Sequence, residues 1–174
     1  MKPAEIIAIG DSITWGYPLG QSFTHLIKQQ YEIEILNYGL NGDTLEGMKK
    51  RLPGYLDHGI KKCIITGGTN DVFQGFDASD MMRNLLEMVA LGSDKGLTVM
   101  VGLPIPILVK ELENKLARFR VELSSQGLNL LQFDSLFYKN GIVDKSLYID
   151  EAHINQQGYQ IITDYLGPIL SNNL

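Results

Sequence analysis

Residues 5–12 read Glu5-Ile6-Ile7-Ala8-Ile9-Gly10-Asp11-Ser12, an apolar, β-rich run that ends at a glycine and two polar residues. A short, nearly continuous apolar run is typical of a strand that is buried on both faces. Gly10 permits a tight turn, and the residues after it can open a helix whose free backbone N–H groups face an anion. By itself, however, an Asp-Ser pair after a strand is most often only a helix N-cap.

The rest of the chain alternates between strand-like and helix-like patterns. The predicted strands are Glu5–Ile9, Glu32–Leu36, Lys62–Thr66, Thr98–Gly102 and Asn129–Phe133. The predicted helices are Phe23–Gln30, Thr44–His58, Ser79–Gly92, Val109–Gln126 and Gln156–Leu170. Such alternation predicts parallel strands joined by right-handed crossovers, with helices covering both faces of one sheet. Because no repeat or linker interrupts the pattern, residues 1–174 are predicted to form one α/β domain.

Composition excludes several classes of protein. The chain is 44% hydrophobic and 20% charged, which is typical of a globular protein and not of a disordered one. Its net charge of -5 and its lack of a Lys/Arg cluster argue against nucleic acid as a partner. No segment approaches the length of a membrane span, so no stable membrane insertion is expected.

Two residues of the sequence, one in the third predicted strand and one near the amino end, indicate the cellular compartment. The single cysteine, Cys63, excludes a disulfide within the chain and is expected to be a core residue. Glu5 stands where a signal peptide would carry its apolar run. We therefore expect a cytoplasmic protein.

Polar motifs follow the predicted strands. Ser12 comes after the first strand, Gly42 after the second and Asn70 after the third, while Asp150 and His153 lie in the loop before the last helix. In a parallel sheet of this kind the functional site lies at the carboxyl ends of the strands. The four segments are therefore predicted to converge on one edge of the sheet.

Three of these residues suit nucleophilic catalysis. A serine hydroxyl such as that of Ser12 becomes a good nucleophile only when a base takes its proton. His153 lies three residues after Asp150, a spacing that lets the carboxylate accept a bond from the imidazole and stabilise it when charged. The alternative is that Asp150 caps the last helix and His153 is a surface residue. His25 and His58 have no comparable partner and are interpreted as ordinary surface histidines.

Gly42 and Asn70 are candidate donors to an oxyanion. The Asn70 amide, in Gly67-Gly68-Thr69-Asn70-Asp71, could supplement the backbone N–H groups of Ser12 and Gly42. Each also has a structural interpretation: Asn70 could form an Asx-turn, and Gly42 could belong only to an Asn-Gly turn. Asp71 is expected to stabilise the loop. The His and Asp positions show no metal-ligand spacing beyond the pair already described, so neither a metal nor a cofactor is expected.

As a set, the motifs resemble those of the SGNH hydrolases, also called GDSL-type esterases and lipases. The matching blocks are Gly10-Asp11-Ser12, Gly42, Gly68-Thr69-Asn70-Asp71 and Asp150-Glu151-Ala152-His153. The stretch Gly42-Asp43-Thr44 followed by Arg51-Leu52-Pro53 is similar to the thioesterase I/lysophospholipase L1 branch. Two departures are Ile13, where the name-giving pattern has leucine, and Ile154, where a proline often follows the histidine.

The resemblance implies a flavodoxin-like, three-layer α/β/α fold with a five-stranded parallel sheet. It also implies a metal-free esterase or lipase, with Ser12, His153 and Asp150 as catalytic triad, Gly42 and Asn70 in the oxyanion hole, and a small-molecule acyl ester or thioester as substrate. The loops offer no lid, and residues 72–76 and 103–107 are expected to form a shallow groove for short to medium acyl chains. The alternatives are a carbohydrate-ester deacetylase and a non-catalytic small-molecule binding protein on the same fold.

Overall fold

The sheet has the predicted parallel arrangement. The computed structural model describes residues 5–56 and 59–172. Its five central strands are β1 (Ile6–Gly10), β2 (Ile35–Gly39), β3 (Lys62–Thr66), β4 (Thr98–Gly102) and β5 (Leu130–Leu131). All neighbouring pairs are parallel, in the order β2-β1-β3-β4-β5. This is the order of doubly wound, flavodoxin-like sheets, whose ligands bind outside the carboxyl ends of the strands.

Seven helices surround this sheet in the described part of the chain. They are α1 (Ser12–Trp15), α2 (Phe23–Tyr31), α3 (Leu45–Arg51), α4 (Thr69–Gln74), α5 (Ala78–Asp94), α6 (Lys110–Ser124) and α7 (Gln156–Ser171). A small antiparallel hairpin, β6 (Tyr138–Lys139) with β7 (Ile142–Val143), follows β5. Short 3₁₀ turns span Leu52–Tyr55, Asp134–Phe137 and Lys145–Leu147.

Two hydrophobic cores lie on opposite faces of the sheet, as the α/β/α prediction requires. Ile6 and Ala8 of β1 pack into one core with the apolar stripes of α2 and α7. Ile7 and Ile9, which point the other way, pack into a second core with α3, α5 and α6. Cys63 of β3 is buried in this second core, and burial raises the pKa of its thiol to about 12. The predicted fold class is confirmed, and Cys63 is a core residue.

The ends of several helices and strands differ from the prediction because of the conformation of nearby residues. Strand β2 begins at Ile35 and not at Glu32, because α2 continues to Tyr31 and Glu32 then adopts a left-handed conformation with φ 57°. The predicted helix from Thr44 ends at Arg51 and continues as a 3₁₀ turn, since Pro53 lacks a backbone N–H for the α-helical ladder. Its predicted end at His58 lies outside the described residues.

Strand β5 is the other clear difference, with two residues in place of the five predicted over 129–133. The chain leaves the sheet after Leu131, whose carbonyl accepts bonds from both Leu103 and Phe133. The helical turn anticipated after Gly10 is α1, whereas α4 lies outside the predicted helices because a six-residue helix gives no periodic signal. Among the described residues, no helix has the length and apolarity needed to cross a membrane.

Candidate active site

Ser12 lies where β1 meets the first turn of α1. Asp11 caps this turn by accepting the N–H of Ile13 at 3.0 Å, and Gly16 ends it with φ 100°. Ser12 itself is only 7% exposed. Asp11 is buried beside it, and burial raises the pKa of the Asp11 carboxyl to about 6, against the lowering effect of the Ile13 bond. A short, capped helix thus holds the serine at the carboxyl edge of the sheet.

Asp150 and His153 lie in a closed loop ahead of α7. A bridge between Tyr148 and Ile154 closes this loop, and Ile149 N–H donates to the carbonyl of His153 at 2.9 Å. Asp150 Oδ1 accepts the backbone N–H of His153 at 2.7 Å. The aspartate therefore organises the turn that presents its own histidine.

Further bonds attach this loop to the segment that follows β4. The Tyr148 hydroxyl donates to the carbonyl of Pro106 at 2.6 Å. The N–H of Leu108 donates to the carbonyl of Glu151 at 2.7 Å. These bonds help to hold the loop in place, since the side chains of His153 and Asp150 are 28% and 47% exposed.

The structure brings Ser12, His153 and Asp150 into one hydrogen-bonded series. Ser12 Oγ lies 3.1 Å from His153 Nε2, and His153 Nδ1 lies 2.8 Å from Asp150 Oδ2. Partial burial acts to raise the pKa of Asp150. The bonds from the backbone of Ala152 and from His153 outweigh it, so the pKa lies below its ordinary value. An ionised Asp150 can hold the Nδ1–H tautomer, which leaves Nε2 free to accept the serine proton.

Tyr17 covers the histidine, a contact that sequence analysis missed. Its ring centroid lies 4.4 Å from that of His153 at an interplanar angle of 42°. The Tyr17 carbonyl accepts the hydroxyl of buried Tyr159 at 3.1 Å, which attaches this residue to α7. Tyr17 is 37% exposed, so it contacts the imidazole from a position that is itself open to solvent.

Gly42 lies in the loop after β2 and Asn70 in the first turn of α4, and a hydrogen bond joins these two segments. Gly42, with φ 77°, occupies a turn in which Asp43 N–H donates to the carbonyl of Leu40 at 3.1 Å. Asn70 Nδ2 donates to the carbonyl of Asp43 at 2.9 Å. An amide nitrogen carries two N–H donors, and this bond takes one of them. The Asp43 bond thus fixes the Asn70 amide relative to the Gly42 turn.

Arg51, which belongs to a stretch already noted for its family likeness, makes bonds in this region that the sequence did not indicate. It donates from Nε to the Asp43 carboxylate at 2.7 Å, from Nη1 to the Tyr38 carbonyl at 2.7 Å, and from Nη2 to the Gly10 carbonyl at 3.0 Å. It thereby joins the ends of β1 and β2 to the Gly42–Asp43 turn. Asp71 has a structural role, but a longer-range one than expected: its carboxylate accepts the N–H of Leu45 at the start of α3.

One expectation about the surroundings of Ser12 is wrong. The segment 103–107 does not form a surface groove: Leu103, Ile105 and Ile107 are 3%, 4% and 2% exposed. Phe73 and Phe76, by contrast, are exposed at the same edge of the sheet. The segment can be buried because Pro104 and Pro106 have no N–H to satisfy, while the carbonyls of both prolines and the N–H of Ile107 have partners inside the protein.

Among the described residues, His25 takes no part in this arrangement. His25 Nε2 lies 3.0 Å from Gln29 Nε2 on the exposed face of α2, and His58 lies outside the described residues. Within residues 5–56 and 59–172, no group of three or more His, Cys, Asp or Glu side chains is placed to hold a metal ion.

A sequence profile of the GDSL-like lipase/acylhydrolase family matches residues 8–161. The chain belongs to this family. Its members hydrolyse ester bonds. The family resemblance drawn from the motifs is thereby confirmed, while the narrower likeness to the thioesterase I/lysophospholipase L1 branch stays a prediction.

Among curated relatives, an arylesterase of Vibrio mimicus is 30% identical over 105 residues, which cover 56% of this chain and 52% of that protein. The chain thus spans about half the length of this relative.

Solved structures of this family share the fold. A member of the lipolytic G-D-S-L family from Veillonella parvula aligns with a TM-score of 0.85 at 24% identity, over 97% of this chain and 98% of that one. The M. smegmatis aryl esterase aligns with a TM-score of 0.77 at 18% identity, over 98% and 100% of the two chains. At these identities the likeness establishes the fold alone.

Proposed function

We propose that this GDSL-family protein is a serine hydrolase of small-molecule esters, with an acyl-enzyme formed on Ser12. The observation that carries the proposal is the series of hydrogen bonds from Ser12 Oγ to His153 Nε2 and from His153 Nδ1 to Asp150 Oδ2. Ser12 lies more than 130 positions from the loop that carries Asp150 and His153. Helix packing alone does not require that the serine and this loop meet.

In the first half-reaction, Ser12 Oγ attacks the acyl carbonyl carbon while its proton moves to His153 Nε2. The ionised Asp150 stabilises the imidazolium that results and keeps the ring in place. The tetrahedral intermediate then collapses: the bond from carbon to the leaving oxygen or sulfur breaks, and the leaving group takes the proton from Nε2. The acyl group remains on Ser12.

Three donors are proposed for the oxyanion: the backbone N–H groups of Ser12 and Gly42 and the side chain of Asn70. The bond from Asn70 to the Asp43 carbonyl supports this assignment, because it fixes the amide without using its second N–H. Preorganised donors cost little reorganisation at the moment of reaction, and losing one typically costs about 10²–10³ in rate.

Water completes the cycle. It attacks the acyl carbon as Nε2 takes one of its protons, and the second intermediate releases the carboxylic acid and returns a proton to Ser12 Oγ. No residue changes its oxidation state, and the reaction consumes one ester and one water. Tyr17, whose ring packs at a tilt against His153, is proposed to limit the access of bulk water to the imidazolium.

The proposed substrates are soluble esters or thioesters with short to medium acyl chains. The relatives named as aryl esterases make phenyl esters the first substrates to try, with thioesters and lysophospholipids after them. A cytoplasmic location remains part of the proposal and rests on the lone, buried Cys63.

Hydrolysis of 4-nitrophenyl esters by the wild type and by Ser12→Ala tests the proposal. We expect the variant to lose about 10⁴–10⁶ in kcat while its circular dichroism and unfolding midpoint stay close to those of the wild type. Equal hydrolysis by both proteins would refute the role of Ser12. Tight binding of esters without turnover by the wild type would favour a binding protein on this fold.

A further inference from the structure

Helix α6 carries a buried ion pair that the proposed mechanism does not use. Arg120 is 6% exposed, and its Nη2 pairs with the Glu113 carboxylate. A buried ion pair contributes little net stability, because the cost of desolvating both charges offsets their attraction. Stability alone therefore does not account for this pair.

The ion pair holds the backbone of residues 104–108, the segment between β4 and α6. Arg120 Nη1 donates to the carbonyl of Pro104 at 3.1 Å, and Glu113 Oε2 accepts the N–H of Ile107 at 2.9 Å. The segment belongs to no helix or strand, and its two prolines have no N–H to donate. Its position therefore depends on the side chains that bond it.

The same segment bonds the His153 loop on its other side. The carbonyl of Pro106 accepts the Tyr148 hydroxyl at 2.6 Å, and the N–H of Leu108 donates to the carbonyl of Glu151 at 2.7 Å. These bonds alternate along the chain with those to the ion pair. The segment thus joins α6 to the loop that carries the catalytic base.

A third charged residue, Asp134, lies against Arg120 without sharing these bonds. Asp134 Oδ2 is 3.8 Å from Arg120 Nε, and buried Asp134 Oδ1 finds no hydrogen-bond partner among the described residues. The guanidinium is therefore aligned with Glu113 and the carbonyl of Pro104, and not with the second carboxylate. Charge neutralisation alone would not favour this alignment.

We propose that Arg120 and Glu113 are positioning residues for His153. They hold segment 104–108, and through it the His153 loop, where Nε2 can take the proton of Ser12. The proposal rests on the proposed serine mechanism, and neither residue is assigned a contact with substrate. A misplacement of about 1 Å can cost about 10² in rate, so loss of the pair should lower kcat and leave KM unchanged.

Steady-state hydrolysis of 4-nitrophenyl acetate by Arg120→Lys and by the double variant Arg120→Met/Glu113→Gln tests the proposal. The double variant removes both charges together, so neither partner is left as an unpaired buried ion. We expect it to lower kcat about tenfold with KM within about twofold of the wild type. Arg120→Lys should lose less, because lysine keeps the charge but not the planar fork of donors.

Two controls accompany these variants. Asp134→Asn removes a charge from the same cluster but no bond to segment 104–108, and it should leave kcat unchanged. Leu123→Ala empties a buried position on the same helix and should lower stability without lowering kcat. All assays are run well below the unfolding midpoint of each variant, so that loss of stability does not lower the measured rate.

A double-mutant cycle with Tyr148→Phe separates positioning from independent damage. If the ion pair acts through the bond from Tyr148 to Pro106, adding Tyr148→Phe to the double variant should lower kcat little further. Independent effects would instead multiply to about 10². If Arg120→Met/Glu113→Gln does not fold, Arg120→Lys takes its place in the cycle.

An unchanged kcat in the variants of the ion pair would overturn the proposal. So would a loss that Asp134→Asn matches, a change confined to KM, or effects that multiply in the cycle. In each of these cases, hydrolysis that Ser12→Ala still abolishes would leave the proposed function intact.

Discussion

Asp11→Asn should change how stability depends on pH. Burial raises the pKa of Asp11 from 3.8 to about 6, so the folded protein holds this proton more tightly than the unfolded chain does. The favourable contribution of protonated Asp11 is complete below about pH 4 and is lost as pH rises to about 6, where the carboxylate ionises inside the fold. A difference of about two pKa units corresponds to roughly 3 kcal/mol. Asparagine keeps the oxygen that caps Ile13 but never ionises.

Urea unfolding of both proteins between pH 4 and pH 7.5 measures the effect. Because carboxyls remote from Asp11 titrate equally in both, the difference in unfolding free energy between Asp11→Asn and the wild type reports on Asp11 and on its coupling to Asp71, Asp43 and His153. That difference should move in favour of the variant by up to about 3 kcal/mol between pH 4 and pH 6.5 and then level off. Asp71→Asn should show the same direction, since burial also raises the pKa of Asp71 to about 6. A pH-independent difference for Asp11→Asn would refute the reasoning.

Two substitutions test how the site is assembled. Asn70→Ala should lower kcat by about 10²–10³ with little change in KM, because the second N–H of Asn70 is proposed to bond the oxyanion. A change in KM alone, measured by steady-state kinetics, would return Asn70 to a structural role. Tyr148→Phe should lower kcat about tenfold at nearly constant KM, because it releases the His153 loop from Pro106. Tyr165→Phe, which also loses a bond to the backbone but lies on α7, away from that loop, is its control and should leave kcat unchanged.

The fold could be predicted from the sequence where one local signal dominates. Strands β3 and β4 have the predicted bounds because each is an apolar run between polar residues. Helix α7 begins at the predicted Gln156, directly after Asn155, whose side chain caps it. Strand β2 is half-exposed at the edge of the sheet, so its hydrophobic pattern is weak, and its position depends on where α2 ends.

The candidate site, like the fold, could be predicted from the sequence only in part. Motifs that follow strands must meet at the carboxyl edge of a parallel sheet, so the approach of Ser12 to His153 could be anticipated. The contact of Tyr17 with His153, the three bonds of Arg51 and the inward turn of residues 103–107 arise from long-range packing. No spacing in the sequence encodes them, and the error about the acyl groove has the same origin.

Covalent labelling with a fluorophosphonate, followed by peptide mapping, tests the central claim most directly. The reagent reacts with a serine whose proton is removed by a neighbouring base, and it needs no knowledge of the natural substrate. We expect one phosphonyl group per chain, located on Ser12, and labelling at least 10²-fold slower in His153→Ala. Esterase activity that survives in an unlabelled protein, or a label on another residue, would contradict the account.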